Sequence, residues 1–272
     1  MSLNYEELVL RNAGYVSTDL QRIIRNCRLL IAGCGIGSTL AEAAVRLGFE
    51  KFILADGDTV ENHNLNRQDY ELSDVGQPKV LSLAKRIQSI NPHADIHQFN
   101  EPLKPDNVDD IVASSDIVFD TIDFLDLSGI VGLHDATQKQ GKPMITALAV
   151  GWGGACIYFP KGTAWSFRRI FQLPETGSVE SASYVEHFTH VIQKLADVID
   201  PQVIRVVRQA LMIMEDGRPC PASQVSPGAF AVASLAATMI VRIISGLPIT
   251  EAPRMVIADM PSVLTSSGIN LG

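Results

Sequence analysis

The sequence predicts an α/β fold with a mostly parallel sheet and helices on both of its faces. Two patterns carry this. Short apolar runs recur through the first half of the chain with helix-like segments between them, an alternation that builds parallel sheets. The first run ends in a glycine-rich turn that opens directly into a helix-like stretch. With 272 residues the chain is long enough to bury a sizeable core, and 46% apolar against 19% charged residues is a globular composition.

In chain order, residues 28–32 (RLLIA) form a buried-strand candidate that ends at glycines. Residues 38–47, rich in Ala, Leu and Glu, read as a helix, and 51–55 (KFILA) as a second strand. Within 78–90, Val80, Leu81, Leu83, Ala84, Ile87 and Ile90 recur close to helical spacing. Residues 95–99 alternate weakly, whereas 117–119 and 144–150 are apolar runs. The second half reads differently. A strand is expected at 155–159, then a long crossover over 162–183 broken by Pro, Gly and Ser. Two helical segments, 184–199 and 202–215, are parted by Asp200-Pro201, and 217–226 reads as loop. Ser226-Pro227 supplies a cap residue and a first-turn proline for a helix ending near Gly246. Its Phe230, Leu235, Met239 and Ile243 stand among small residues, a composition for close packing in a core or at a dimer seam. Residues 254–258 (RMVIA) close the sheet, giving C-terminal strands after a helical insertion. No repeat, low-complexity tract or composition break divides the chain, so 1–272 is expected to be a single domain.

Charge and cysteine usage narrow the function. Lys and Arg number 22 and Asp and Glu 30, a net charge of −8 that argues against nucleic acid as a partner. Cys27, Cys34, Cys156 and Cys220 are scattered without a Cys-x-x-Cys pair, so neither a disulfide framework nor a four-cysteine zinc site is expected. Residues 4–11 carry two Glu and no apolar run, unlike a signal peptide. The most apolar stretch, 227–244, is interrupted by Arg242 and is short for a bilayer span. A cytoplasmic protein without a membrane partner is expected.

The chemistry gathers at the ends of the expected strands. Gly33, Gly35 and Gly37 lie between strand and helix, where bare backbone and a helix N-terminus suit a phosphate. Asp56 ends the next strand and can accept from ribose hydroxyls, although G-x-G-x-G is one residue short of the usual dinucleotide pattern. A polar loop follows with Asp58, Asn64, Arg67 and Gln68, and then Lys79 at a helix start. Asp123 follows the third apolar run at the same edge. Hydride transfer needs no such set of cations and free carboxylate around the phosphates. Nucleotidyl transfer does, because charge builds as pyrophosphate leaves, and Asp123 is a suitable hard ligand for Mg2+.

The combination resembles the ThiF/MoeB/HesA family of the ubiquitin-activating enzyme superfamily, from about Arg11 to the last strand. The most specific stretch is LADGDTVENHNLNRQ at 54–68, followed by GQPK at 76–79. The resemblance implies a Rossmann-like nucleotide-binding core over about 28–150 and a crossover and helical region over about 160–226. It implies that Gly33, Gly35 and Gly37 cradle ATP phosphates and that Asp56 holds the ribose. Asp58, Asn64, Arg67 and Gln68 would line the nucleotide, Lys79 would neutralise phosphate charge, and Asp123 would bind Mg2+. Arg11 stands where family members place an arginine that reaches into the partner's site of a homodimer. The implied reaction is adenylylation of the C-terminal carboxylate of a ubiquitin-like sulfur-carrier protein ending Gly-Gly, with release of pyrophosphate.

The chain also departs from the family. Phe124 stands where many members carry an amide, and the two zinc-binding Cys-x-x-Cys pairs are missing, so packing must hold the 162–226 region. Cys220 is the best candidate for a thioester or persulfide cysteine, against the alternative of a small residue in a proline-rich loop. His63, in the nucleotide loop, is a candidate phosphate contact. A relative acting on a carboxylate of a modified tRNA base and a non-catalytic nucleotide-binding protein remain alternatives.

Overall fold

The computed structural model describes residues 3–180, 182, 184–215 and 223–270. Seven strands form one sheet: β1 (Arg28–Ala32), β2 (Lys51–Ala55), β3 (Asp95–Phe99), β4 (Ile117–Asp120), β5 (Met144–Val150), β6 (Gly153–Phe159) and β7 (Met255–Ala258), in the order β3-β2-β1-β4-β5-β6-β7. The first five are parallel to one another, and β6 runs antiparallel to both β5 and β7. The chain leaves β1 toward β2 and β3, then returns to β4 on the other side. That reversal makes a crevice at the carboxyl ends of β1 and β4, where open α/β sheets bind ligands. Register brings Ala32 level with both Ala55 and Asp120, so the ends of three strands meet there.

Period-two burial explains the layers. Leu29 and Ile31 face one core with Leu40, Phe52, Leu54, Leu83, Val232 and Ile240. Leu30 and Ala32 face the other with Ile53, Ile111, Val118 and Leu133. Helices Gly37–Arg46, Lys79–Ile90 and Ser226–Ile244 therefore cover one face, and Val108–Ala113 and Leu127–Lys139 the other.

The Ser226–Ile244 helix is long and apolar enough to cross a membrane by length and composition. Here one side of it packs on the sheet. Met239 is buried, Leu235 and Ile243 are partly buried against the core, and Phe230 is exposed. Its close approach explains why β6 begins at Gly153, ahead of the expected residue 155. A Cβ on Gly154 would lie 2.7 Å from the Val232 nitrogen, so what reads as loop glycine in sequence is room for a helix backbone. β7 begins at Met255, after Arg254 N–H has turned back to the Glu251 carbonyl.

The crossover region forms a further layer on the Leu127–Lys139 helix. Phe167, Phe171, Phe188 and Leu211 bury themselves against Leu127, Ile130 and Val131. Buried Arg168 ties the layer down, donating to both oxygens of Asp135 and to the carbonyls of Pro174 and Gly177. Cys27, Cys34 and Cys156 are buried, and burial pushes the Cys156 thiol up to about 12. Cys220 lies outside the described residues.

Candidate active site

The glycine turn after β1 is shaped mainly by what packs beneath it. Gly33 has φ +89°, and a Cβ there would lie 2.4 Å from the Thr121 carbonyl oxygen. A Cβ on Gly37 would lie 2.6 Å from Thr121 Oγ1 and from Ile31. These two glycines let the turn close onto the end of β4, where Thr121 N–H donates to the Ala32 carbonyl and Thr121 Oγ1 to the Gly33 carbonyl. Gly35 has a different task, since a Cβ there would press on the Gln68 amide at 3.2 Å. Cys34 N–H is taken by Asp56 Oδ2, and the Cys34 carbonyl accepts from buried Tyr70 Oη at 2.6 Å. The N–H groups of Gly35, Ile36 and Gly37 lie in the turn and first residue that open the ten-residue Gly37–Arg46 helix. Backbone donors at the start of a helix of this length make the turn a candidate anion cradle.

The loop from Asp56 to Lys79 folds back on itself. Thr59 pairs with Pro78, Val60 N–H donates to the Gln77 carbonyl, and Gly76 N–H donates to the Val60 carbonyl. This closure returns Lys79 to the end of β2. Lys79 is only 8% exposed, and its Nζ donates to Asp58 Oδ2 at 2.8 Å. Asp58, expected to line the nucleotide, is here the partner of Lys79. Asp56 accepts from the N–H groups of Cys34 and Asp58 on separate oxygens. Burial pushes its carboxyl up, against the opposing charge of Lys79.

Asn64 is buried and builds the turn, its Oδ1 accepting from Glu61 N–H. Arg67 donates through Nε to Gln224 Oε1 and through Nη1 to the His63 carbonyl and Asn66 Oδ1. Burial pulls the Arg67 guanidinium down, and the charge of the Asp123 carboxylate opposes this. Gln68 Oε1 is buried beside the glycine turn with no partner among the described residues. His63 is exposed and lies 3.2 Å from Glu61.

Asp123 is exposed, and its Oδ1 accepts from Leu125 N–H. Among the described residues no three His, Cys, Asp or Glu side chains gather as a metal cage. A lone exposed carboxylate suits Mg2+, which takes one or two carboxylates and fills its other positions with phosphate oxygens and water. Arg11 is not at this edge. Its neighbour Asn12 donates to the Leu47 carbonyl, past the far end of the ten-residue Gly37–Arg46 helix, about 15 Å from the cradle.

Tyr70, Thr121 and Gln224 act here without having stood out in the sequence. Tyr70 and Thr121 lie inside or beside quoted motifs, but only folding shows what they hold. Gln224 stands in a loop far along the chain and carries no sequence signal.

One neighbour gives the site a pH dependence. Asp69 and Glu42 both lie against Arg86, at 3.8 and 2.7 Å. Burial first, and then the hydrogen bond and charge of Glu42, push Asp69 up to about 7. Burial alone would raise Glu42, but hydrogen bonds with Asp69, Arg86 and Arg46 and the charge of Arg46 bring it down to about 2. Between about pH 4, where an unfolded carboxylic acid releases its proton, and about 7, the folded pair still holds one. The Asp69 contribution to stability is therefore full below about pH 4 and is lost as pH rises toward 7. Asp69→Asn is expected to flatten this part of the stability profile, measured as urea midpoints from pH 4.5 to 7.5.

A family model described as ThiF family matches residues 9–267. An adenylyltransferase and sulfurtransferase of Zea mays, MOCS3-1, is 30% identical over 156 residues, 57% of this chain and 33% of that protein. A sulfur carrier protein ThiS adenylyltransferase of Bacillus subtilis (strain 168) is 32% identical over 135 residues, 48% of this chain and 40% of that protein. The chain thus spans less than half the length of these two curated relatives. The crystal structure of PaaA shares the fold, with a TM-score of 0.67 at 18% identity, covering 94% of this chain and 78% of that one.

Proposed function

The chain belongs to the ThiF family, and we propose that it is an ATP-dependent adenylyltransferase. Its substrate would be the C-terminal carboxylate of a ubiquitin-like sulfur-carrier protein ending Gly-Gly. The observation that carries this reading is that the glycine turn opening a helix, Asp56, Gln68 and buried Lys79 meet at one sheet edge: Cys34 N–H donates to Asp56, Gln68 lies against Gly35, and Lys79 returns to Asp58. Gln68 Oε1 adds a buried polar atom without a partner among the described residues.

In this reading a carboxylate oxygen of the carrier attacks the α-phosphorus of ATP. The bond from that phosphorus to the bridging oxygen breaks, and the electron pair leaves with pyrophosphate. A carboxylate is already a nucleophile, so the residues need little acid–base work. Their task is to position the reactants and meet charge with charge. Gly35, Ile36 and Gly37 donate to phosphate oxygens, Lys79 and Arg67 offset the growing negative charge, and Asp56 takes the ribose. Mg2+ on Asp123 would supply a further counter-charge across the departing phosphates. Arg11 would serve the site of a second copy in a homodimer, since its own site lies at the other end of the helix.

The test is ATP–pyrophosphate exchange with small carrier proteins ending Gly-Gly. Exchange that depends on the carrier supports the reading. Normal Mg-ATP binding with no exchange from any carrier refutes this substrate class. Asp123→Asn is expected to lower exchange by about a hundredfold or more, because it replaces a charged ligand by a neutral one.

A further inference from the structure

A buried polar triangle lies behind the segment that carries Asp123. Asp120, at the end of β4, is 2% exposed, His134 6% and Thr146 1%. His134 Nε2 lies 3.1 Å from Asp120 Oδ2 and 2.9 Å from Thr146 Oγ1, and Thr146 Oγ1 donates to the same Asp120 oxygen at 3.2 Å. A carboxylate oxygen only accepts, so Nε2 carries the ring hydrogen. The other Asp120 oxygen accepts from Ile122 N–H at 3.2 Å. His134 and Thr146 therefore hold the carboxylate that holds the backbone immediately before Asp123.

The other side of Asp123 is anchored too. The Phe124 ring meets Phe188 edge-on at 4.6 Å between centroids. Phe188 lies 4.9 Å from Phe171, which stacks on Phe167 at 4.1 Å, and Phe167 lies 4.7 Å from the His134 ring. The two anchors are thus ends of one continuous row of rings. The row runs from the Leu127–Lys139 helix through the Phe167–Ile170 and Tyr184–Leu195 helices of the crossover and back to the residue after Asp123.

We propose that His134 and Phe124 are positioning residues that clamp Asp123 from both sides, and that the crossover helices set its metal affinity through this row of rings. The inference rests on the reading of Asp123 as the metal carboxylate. Neither residue reaches the reacting atoms. Each acts by narrowing the orientations of the Asp123 carboxylate. Groups behind a metal ligand typically change affinity by about 10- to 100-fold.

The experiment measures Mn2+ binding to the full chain by electron paramagnetic resonance, with a non-hydrolysable ATP analogue present. Nucleotide binding without metal is measured in parallel by calorimetry. His134→Leu and Phe124→Ala are each expected to weaken Mn2+ binding by about tenfold or more with metal-free nucleotide binding unchanged. His134→Gln, whose amide nitrogen can replace Nε2–H, is expected to stay close to the wild type. The double variant is expected to lose less than the product of the two single losses, because both cut one row. Phe124 is only partly buried, so Phe124→Ala keeps the test open if His134→Leu does not fold. Unchanged Mn2+ binding in Phe124→Ala and His134→Leu, with binding lost in Asp123→Asn, overturns this inference alone. Unchanged binding in Asp123→Asn overturns the reading of Asp123, and the inference falls with it.

Discussion

Lys79→Ala is expected to lower carrier-dependent pyrophosphate exchange by about two to three orders of magnitude while the protein stays folded. The size follows from what one preorganised donor at a developing charge contributes. The survival of the fold follows from the partner. Lys79 has a side chain 9% exposed, whereas that of Asp58 is 71% exposed. Removing the ammonium leaves a carboxylate that water can solvate, not a buried orphan charge, so the local cost is mainly the packing of the lysine stem, about 1–2 kcal/mol. A second consequence separates this site from a surface ion pair. Burial pushes Asp56 up and the charge of Lys79 pulls it down. Without Lys79 the Asp56 carboxyl rises further. The variant should then lose nucleotide binding as pH falls, and at a higher pH than the wild type does. Calorimetric nucleotide binding from pH 5 to 8 checks this. Equal profiles for the two proteins would show that Lys79 does not act on the nucleotide edge.

Gly33→Ala is expected to be the most destabilising small substitution in the site, by about 2–4 kcal/mol. The position has φ +89°, unfavourable for any side chain, and the new Cβ would meet the Thr121 carbonyl oxygen at 2.4 Å. The obstacle is backbone at the end of β4, so no rotamer change relieves it. For a domain of this size the loss corresponds to a fall in Tm of roughly 5–15 °C. Gly76→Ala is the matched control. Its φ is +85°, with nothing within 4 Å of the new Cβ, so only the conformational cost of about 1 kcal/mol applies. Thermal unfolding of the two variants side by side separates packing from backbone strain. Equal losses would mean that the glycine turn does not need its close fit against Thr121.

Much of the fold was legible in the sequence because burial on both faces writes strands as apolar runs. Residues 28–32, 51–55 and 144–150 are β1, β2 and β5 at those bounds, whereas 95–99 is the edge strand β3, mostly exposed and marked only by its weak alternation. The helix Leu127–Lys139 was not legible. It is buried on more than one side and contains Gly129 and Gly132, which blur any apolar stripe. Thr18–Asn26 and Met260–Ser266 are short elements of about two turns, too brief for a periodic apolar stripe to stand out. The Gly153 and Gly154 start of β6 read as turn, since sequence does not show that a helix must pass close to that backbone.

The candidate site divides along the same line. By itself the sequence determined which chemistry could gather at the sheet edge. Gly33, Gly35, Gly37, Asp56, Arg67, Gln68, Lys79 and Asp123 stand in or after local strand–turn–helix units, and such units are set by nearby residues. Only the tertiary structure decided what each of them does there. Asp58 is spent on Lys79, Asn64 on its own turn, and Gly33 and Gly37 on the fit against Thr121. Gln224 reaches Arg67 from 157 residues away, and Phe124 meets Phe188 across the crossover. The physical reason is range. Propensity and periodicity act over one or two turns of chain, whereas hydrogen-bond satisfaction and ring packing depend on which distant segments the topology brings within a few ångströms.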